Sequence, residues 1–194
     1  MRSGSAVASV VLAIVLCAGA GAVARPAAVD TDLLVARSTD GRVTFQNQLF
    51  SGVGVRHHSN GSIAERVEYA EGRPHGSTER WYESGARSYR ATYRNGRRDG
   101  TVRTWWDDGT LRSESNYVSG TADGVQREWY RSGRPFKELR LEDGREVGLQ
   151  RAWRENGDLY ANYEARDGRV YGMKRADLCF EVEDGTGPTG EAAS

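Results

Sequence analysis

A glycine recurs at Gly52, Gly76, Gly100, Gly124, Gly148 and Gly172, each 24 residues after the last, and this period restricts the fold more than any other property of the chain. Other positions keep the same beat. Five residues after each opening glycine stand His57, Trp81, Trp105, Trp129 and Trp153, and four further on come Gly61, Gly85, Gly109, Gly133 and Gly157. A third series runs through Gly72, Gly96, Gly120, Gly144 and Gly168. Self-similarity at a fixed period of this length marks a repeat architecture. One supersecondary unit cannot bury its apolar face alone, and stacked neighbours supply the core.

The dipeptides inside each unit identify it as a β-hairpin. One set is Asn60-Gly61, Ser84-Gly85, Asp108-Gly109, Ser132-Gly133 and Asn156-Gly157; the other is Glu71-Gly72, Asn95-Gly96, Ser119-Gly120, Asp143-Gly144 and Asp167-Gly168. Polar–glycine pairs of this kind predict type I′ turns, because glycine takes positive φ without steric cost and the turn's twist matches that of the flanking strands. Two turns per period leave room for two strands. Counted from the opening glycine, offsets 15 and 17 carry Val67 and Tyr69, Ala91 and Tyr93, Leu139 and Leu141, while offsets 14, 16 and 18 are almost all charged or polar. Such alternation puts one face on a core and the other in water. We place the tryptophans at offset 5 on the inner side with offsets 15 and 17. A helical solenoid fits poorly, since each interior glycine costs a helix about 1 kcal/mol. The expected fold is all-β: an elongated single-layer antiparallel sheet of stacked β-hairpins in five 24-residue units.

Residues 52–171 hold the repeats, and the flanks read differently. Residues 1–24 form an expected secretory signal peptide: Arg2, an uncharged apolar stretch, then Ala22-Val23-Ala24 as a small-residue cleavage site. An uncleaved membrane anchor is the alternative, but the stretch is diluted by alanine and glycine and short for a span. Residues 25–51 read as a linker and amino-terminal cap, with Val43, Phe45, Leu49 and Phe50 as capping apolar residues. Residues 172–182 read as a carboxy-terminal cap and residues 183–194, rich in Gly, Thr and Glu, as a disordered tail. Cleavage would remove Cys17 and leave Cys179 alone between Leu178 and Phe180, a setting that suits burial. Basic and acidic residues balance at 27 each, which argues against a nucleic-acid platform, because phosphate neutralisation needs a basic excess.

The units resemble MORN repeats, in the variant form of bacterial proteins named YwqK-family antitoxin components. The resemblance rests on Gly76, Trp81, Tyr82, Gly85, Tyr93 and Asn95-Gly96, then Gly100, Trp105, Trp106, Gly109, Tyr117 and Gly120. The first unit departs from the pattern with His57 and His58 in the aromatic pair, and the last two replace the tyrosine by Leu141 and Ala165. The resemblance implies a single-layer sheet of hairpins used for scaffolding or binding, without chemistry of its own. It also implies an antitoxin role, which sits badly with export, because an antitoxin meets its toxin in the cytoplasm.

No nucleophile elbow, P-loop or paired-histidine helix motif occurs, so no catalytic residue, cofactor or metal is assigned. His57 and His58 are neighbours, so on a strand they point apart and cannot share a metal; they read as stand-ins for the repeat tryptophan and tyrosine. Two aromatic rows remain. Trp81, Trp105, Trp129 and Trp153 are assigned to structure together with the turn glycines Gly85, Gly109, Gly133 and Gly157, and Tyr82, Trp106 and Tyr130 are the candidate binding row. The reading that follows is an exported, periplasmic or extracellular scaffold that binds a protein partner in the cell envelope. The alternative is binding of envelope glycan or lipid headgroups by the aromatic rows, using stacking or cation–π attraction.

Overall fold

The computed structural model describes residues 28–173. They form a 15-stranded sheet and a separate 3-stranded one, with no α-helix. The first strands of the five units are Gly52–His57, Arg73–Trp81, Gly100–Trp105, Gly124–Trp129 and Gly148–Trp153. Their second strands are Ile63–Ala70, Arg87–Arg94, Leu111–Val118, Pro135–Glu142 and Leu159–Arg166. All ten lie side by side in chain order and antiparallel, and Arg169–Met173 adds an edge. The sheet stays unclosed. The expected signal peptide, the tail, both cysteines and nearly all of the expected carboxy-terminal cap lie outside the described residues.

The two glycine series build two different turns. At the second series both residues have positive φ, as in Asn95 at 51° and Gly96 at 81°, the type I′ geometry. At the first series only the glycine is left-handed, as in Gly109 at 87°, while Gly109 N–H donates to Trp106 O and Trp106 N–H to Thr110 O. That is a type I turn closed by a glycine bulge, the usual three-residue hairpin loop. The type I′ expectation thus holds for one set and is corrected for the other. The polar residue before the bulge glycine stays right-handed because its loop holds one residue more.

Register sets the faces. In the third unit Gly100 pairs with Tyr117, Val102 with Ser115 and Thr104 with Ser113. Even offsets of the first strand therefore share a face with odd offsets of the second. The tryptophans stand at an odd offset of the first strand, so they fall on the other face, beside the charged offsets 14 and 16. Their assignment to the same side as offsets 15 and 17 is corrected by this pairing parity. In every unit a bulge just before the tryptophan, or before His57 in the first, such as that between Thr104 and Trp105, skips one residue of the second strand and sharpens the local twist.

The buried centre is the row of pairs at offsets 2 and 15: Gly54 with Val67, Thr78 with Ala91, Val102 with Ser115, Gln126 with Leu139 and Gln150 with Tyr163. Val67, Thr78, Ala91, Val102, Gln150 and Tyr163 are all buried. Before the first unit, Val29–Asp30 pairs in parallel with Gly52–His57. Phe50 is buried and packs its ring 6.2 Å from Phe45 and 5.7 Å from Tyr69. Of the expected capping residues, Leu49 is exposed.

Between units the ladder breaks. Tyr93 pairs with Arg98 but Arg90 with Arg103, so the register slips by two residues around Asp99 and Gly100. Peptide groups left unpaired there need partners, and side chains supply them. Ser77 N–H donates to Glu68 Oε2 at 2.9 Å. Gln150 takes Arg140 N–H on its Oε1 at 2.8 Å, and its Nε2 donates to Val147 O at 2.9 Å and Arg140 O at 3.0 Å. Gln126 repeats the donor half of this one unit earlier, its Nε2 making longer contacts to Asn116 O and Gly124 O.

Candidate functional site

The two aromatic rows occupy opposite faces and do different work. In the row at offset 6, Tyr82 Oη donates to Trp105 O and Tyr130 Oη to Trp153 O, both at 2.8 Å. Each phenol thus reaches one unit forward and pins the next tryptophan's carbonyl. In the first unit His58 holds the equivalent place and its Nε2 lies 2.9 Å from Trp81 O. The histidine substitutes for the tyrosine in function as well as in position. Burial, then the nearby Glu155 carboxylate, pushes the Tyr130 phenol above its ordinary range, so it stays a neutral donor to the carbonyl.

Trp106 breaks this pattern. Its indole Nε1 is buried without a hydrogen-bond partner, and its ring is flanked by the Arg112 and Arg131 guanidinium groups at 4.6 and 5.3 Å. Arg131 is itself held by Asp107 and Asp108. Of the candidate binding row, then, Tyr82 and Tyr130 have their polar tips on backbone, and Trp106 is wedged between cations.

The row at offset 5 borders charge. Arg103 pairs with Glu114 at 2.7 Å, Arg127 with Glu138 at 2.9 Å, and Arg151 with the same Glu138 at 3.0 Å. The Arg151 guanidinium lies 5.6 Å from the Trp153 ring centre and that of Arg87 5.9 Å from Trp105. Between Trp129 and Trp153 a cavity of about 280 Å³ opens, lined also by Arg127, Glu128, Pro135, Lys137 and Glu138. All four repeat tryptophans are half-buried rather than core, so they support the sheet while showing part of each ring.

On the other face Tyr89 and Tyr93 share a hydroxyl contact at 3.2 Å, and Arg98 donates to Tyr117 Oη at 3.3 Å. Burial, then the hydrogen bond to Tyr93, pushes the Tyr89 phenol up to about 12. The Tyr89 phenol therefore stays protonated at neutral pH, and the row serves as packing with polar tips. His57 is exposed, His75 Nδ1 accepts Asn95 N–H at 3.5 Å, and no group of three or more potential metal ligands converges among the described residues. Gly85, Gly109, Gly133 and Gly157 all sit at positive φ in the bulged turns.

A family model for the MORN repeat variant matches residues 98–119. That segment is similar to the MORN repeat variant. It spans the first strand, bulged turn and second strand of the third unit, and the other four units repeat its register shift at the bulge and its turns. No curated protein matches the chain. The finer likeness to the YwqK family stands on the motifs alone. MORN-variant units on an all-β repeat sheet are typically non-catalytic and suit a scaffold or binding role.

The sequence motifs did not single out Gln126, Gln150 or Glu68, which bridge the junctions. Gln126 and Gln150 share offset 2, and glutamine at one frame position in consecutive units was the available signal.

Proposed function

We propose that the chain is an exported, non-catalytic repeat scaffold that binds another protein in the cell envelope. The observation that carries this reading is the tryptophan face: four half-buried indoles in line, each showing part of its ring and bordered by Arg–Glu pairs, on an unclosed sheet. Aromatic and arginine side chains together are the usual anchors of protein interfaces. Glycan or lipid-headgroup binding by Tyr82, Trp106 and Tyr130 is the weaker reading, because two of those tips are occupied by backbone carbonyls. The antitoxin role is not proposed, since export would part the chain from a cytoplasmic toxin. Affinity capture on the full chain from its native envelope fraction should recover a partner that saturates. Recovery of the chain in the cytoplasm alone, or of abundant carry-over proteins alone, would overturn the reading.

A further inference from the structure

Deepening the protein-binding reading and resting on it, we propose that the groove along Trp105, Trp129 and Trp153 docks an acidic, proline-rich segment of the partner in the polyproline II conformation, one helical turn per repeat. Three observations converge on this chemistry.

The first is spacing. One tryptophan occurs per two strands, and strands lie about 4.7–4.9 Å apart, so successive indoles are set about 9.4–9.8 Å apart across the sheet. A polyproline II helix has three residues per turn at about 3.1 Å each, or about 9.3 Å per turn. An extended strand repeats its side chains every ~6.6 Å and an α-helix turns every ~5.4 Å, and neither stays in step with the indoles.

The second is the shape and polarity of the groove. The opening of about 280 Å³ between Trp129 and Trp153 has Pro135 in its wall, and a flat pyrrolidine ring suits a slot between indoles. Among the described residues, the Nε1 groups of Trp105, Trp129 and Trp153 donate to no protein acceptor and are not buried. A polyproline II ligand has a fully solvated backbone whose carbonyls are free to accept such donors.

The third is charge. Along the row beside the indoles stand Arg90, Arg103, Arg127 and Arg151 against Glu114 and Glu138. The arginine side chains are 41–57% exposed, while the two glutamates are 24% and 28% exposed. Along this row a ligand therefore meets guanidinium groups ahead of Glu114 and Glu138, in a pattern that repeats with the unit, while the exposed carboxylate at the opening, Glu128, is ion-paired with Lys137. Acidic residues between the prolines would match it.

The test is a fluorescence-anisotropy titration of the full chain with a labelled peptide of repeated Pro-Pro-Glu triplets. The comparison ligands are Gly-Gly-Glu and Pro-Pro-Lys peptides of equal length and soluble envelope glycan fragments. Saturable binding of the Pro-Pro-Glu peptide, at least tenfold tighter than either control peptide, is expected. Trp129→Ala should weaken it at least tenfold, and the surface variant Arg127→Glu, which leaves the indoles in place, should weaken it at least fivefold. Tyr117→Phe, on the opposite face with its hydroxyl accepting from Arg98, should leave it unchanged. Equal binding of Pro-Pro-Glu and Gly-Gly-Glu, indifference to Arg127→Glu, or displacement of the peptide by glycan would each overturn the groove assignment. A captured envelope partner that Arg127→Glu still retains in full would overturn the groove and leave the scaffold role standing, so the two failures are distinguishable.

Discussion

The first and fifth units share a hairpin and close its centre in opposite ways. In the first, Gly54 faces Val67, and the space above the glycine belongs to the preceding segment. A Cβ placed there would lie 3.0 Å from both Thr31 Cγ2 and Tyr69 Cε2 and 3.4 Å from Leu34 Cδ1. In the fifth, Gln150 faces Tyr163, is 0% exposed, and uses its amide on the backbone of the slipped junction. One frame position thus accepts an apolar plug or a polar bridge, whichever meets the local need. At an end unit the need is to cover apolar surface, and at an internal junction it is to satisfy peptide groups.

Gln150→Leu should break this contrast most severely. The leucine fills the volume but strands Arg140 N–H and Val147 O, while Arg140 O keeps the Val147 N–H, at about 1–3 kcal/mol for each buried unsatisfied group. A loss of about 3 kcal/mol in chemical unfolding is expected, and a neutral result would show that the junction tolerates bare peptide groups. Gly54→Gln asks whether the first unit can adopt the fifth unit's solution. The longer side chain must displace Thr31 and Leu34, so about 2 kcal/mol should be lost, in the range of other overpacked sites, with faster proteolysis before Phe50. No change there would mean the preceding segment does not seal the unit.

Smaller effects sharpen the comparison. His58→Phe and Tyr130→Phe each remove one bond to the next tryptophan's carbonyl, and each should cost about 1 kcal/mol. A large cost for only one of them would show that the two rivets are not equivalent. At the first junction, the Ser77 backbone N–H holds the Glu68 carboxyl below its ordinary 4.5; burial opposes it, and Arg66 adds to the lowering. A carboxylate depressed in the folded state stabilises above its unfolded value and loses that stability as pH falls through the folded one. Wild-type stability should therefore decline below about pH 4.5 more steeply than that of Glu68→Gln, by less than about 1 kcal/mol because the side chain is partly solvated. The reverse slope would remove Glu68 from the junction. Arg94 is 74% exposed and ion-paired to Asp99, and Arg94→Ala should stay within about 0.5 kcal/mol.

Much of this was legible from residues. The glycine frame, the two turns per unit, the hairpins and the buried Val67 and Ala91 follow from period and alternation. His58 was readable as a tyrosine stand-in, although its bond to Trp81 O was not. The side of the sheet that the tryptophans take was not legible, because it depends on which residues pair across the hairpin. Counting along one strand does not reveal that the summed offsets of a pair are odd. Nor could the chain announce that Tyr82 and Tyr130 spend their hydroxyls on backbone, since that contact spans 23 residues.

Primary structure alone determined that this protein is an array of hairpins, because turn chemistry and strand alternation act over a few residues and recur on a strict beat. Tertiary structure decided which aromatic row locks the units and which shows its rings, and what fills each centre. Those outcomes depend on inter-strand register and on the two-residue slip between units, which arise only when strands distant in the chain are laid side by side.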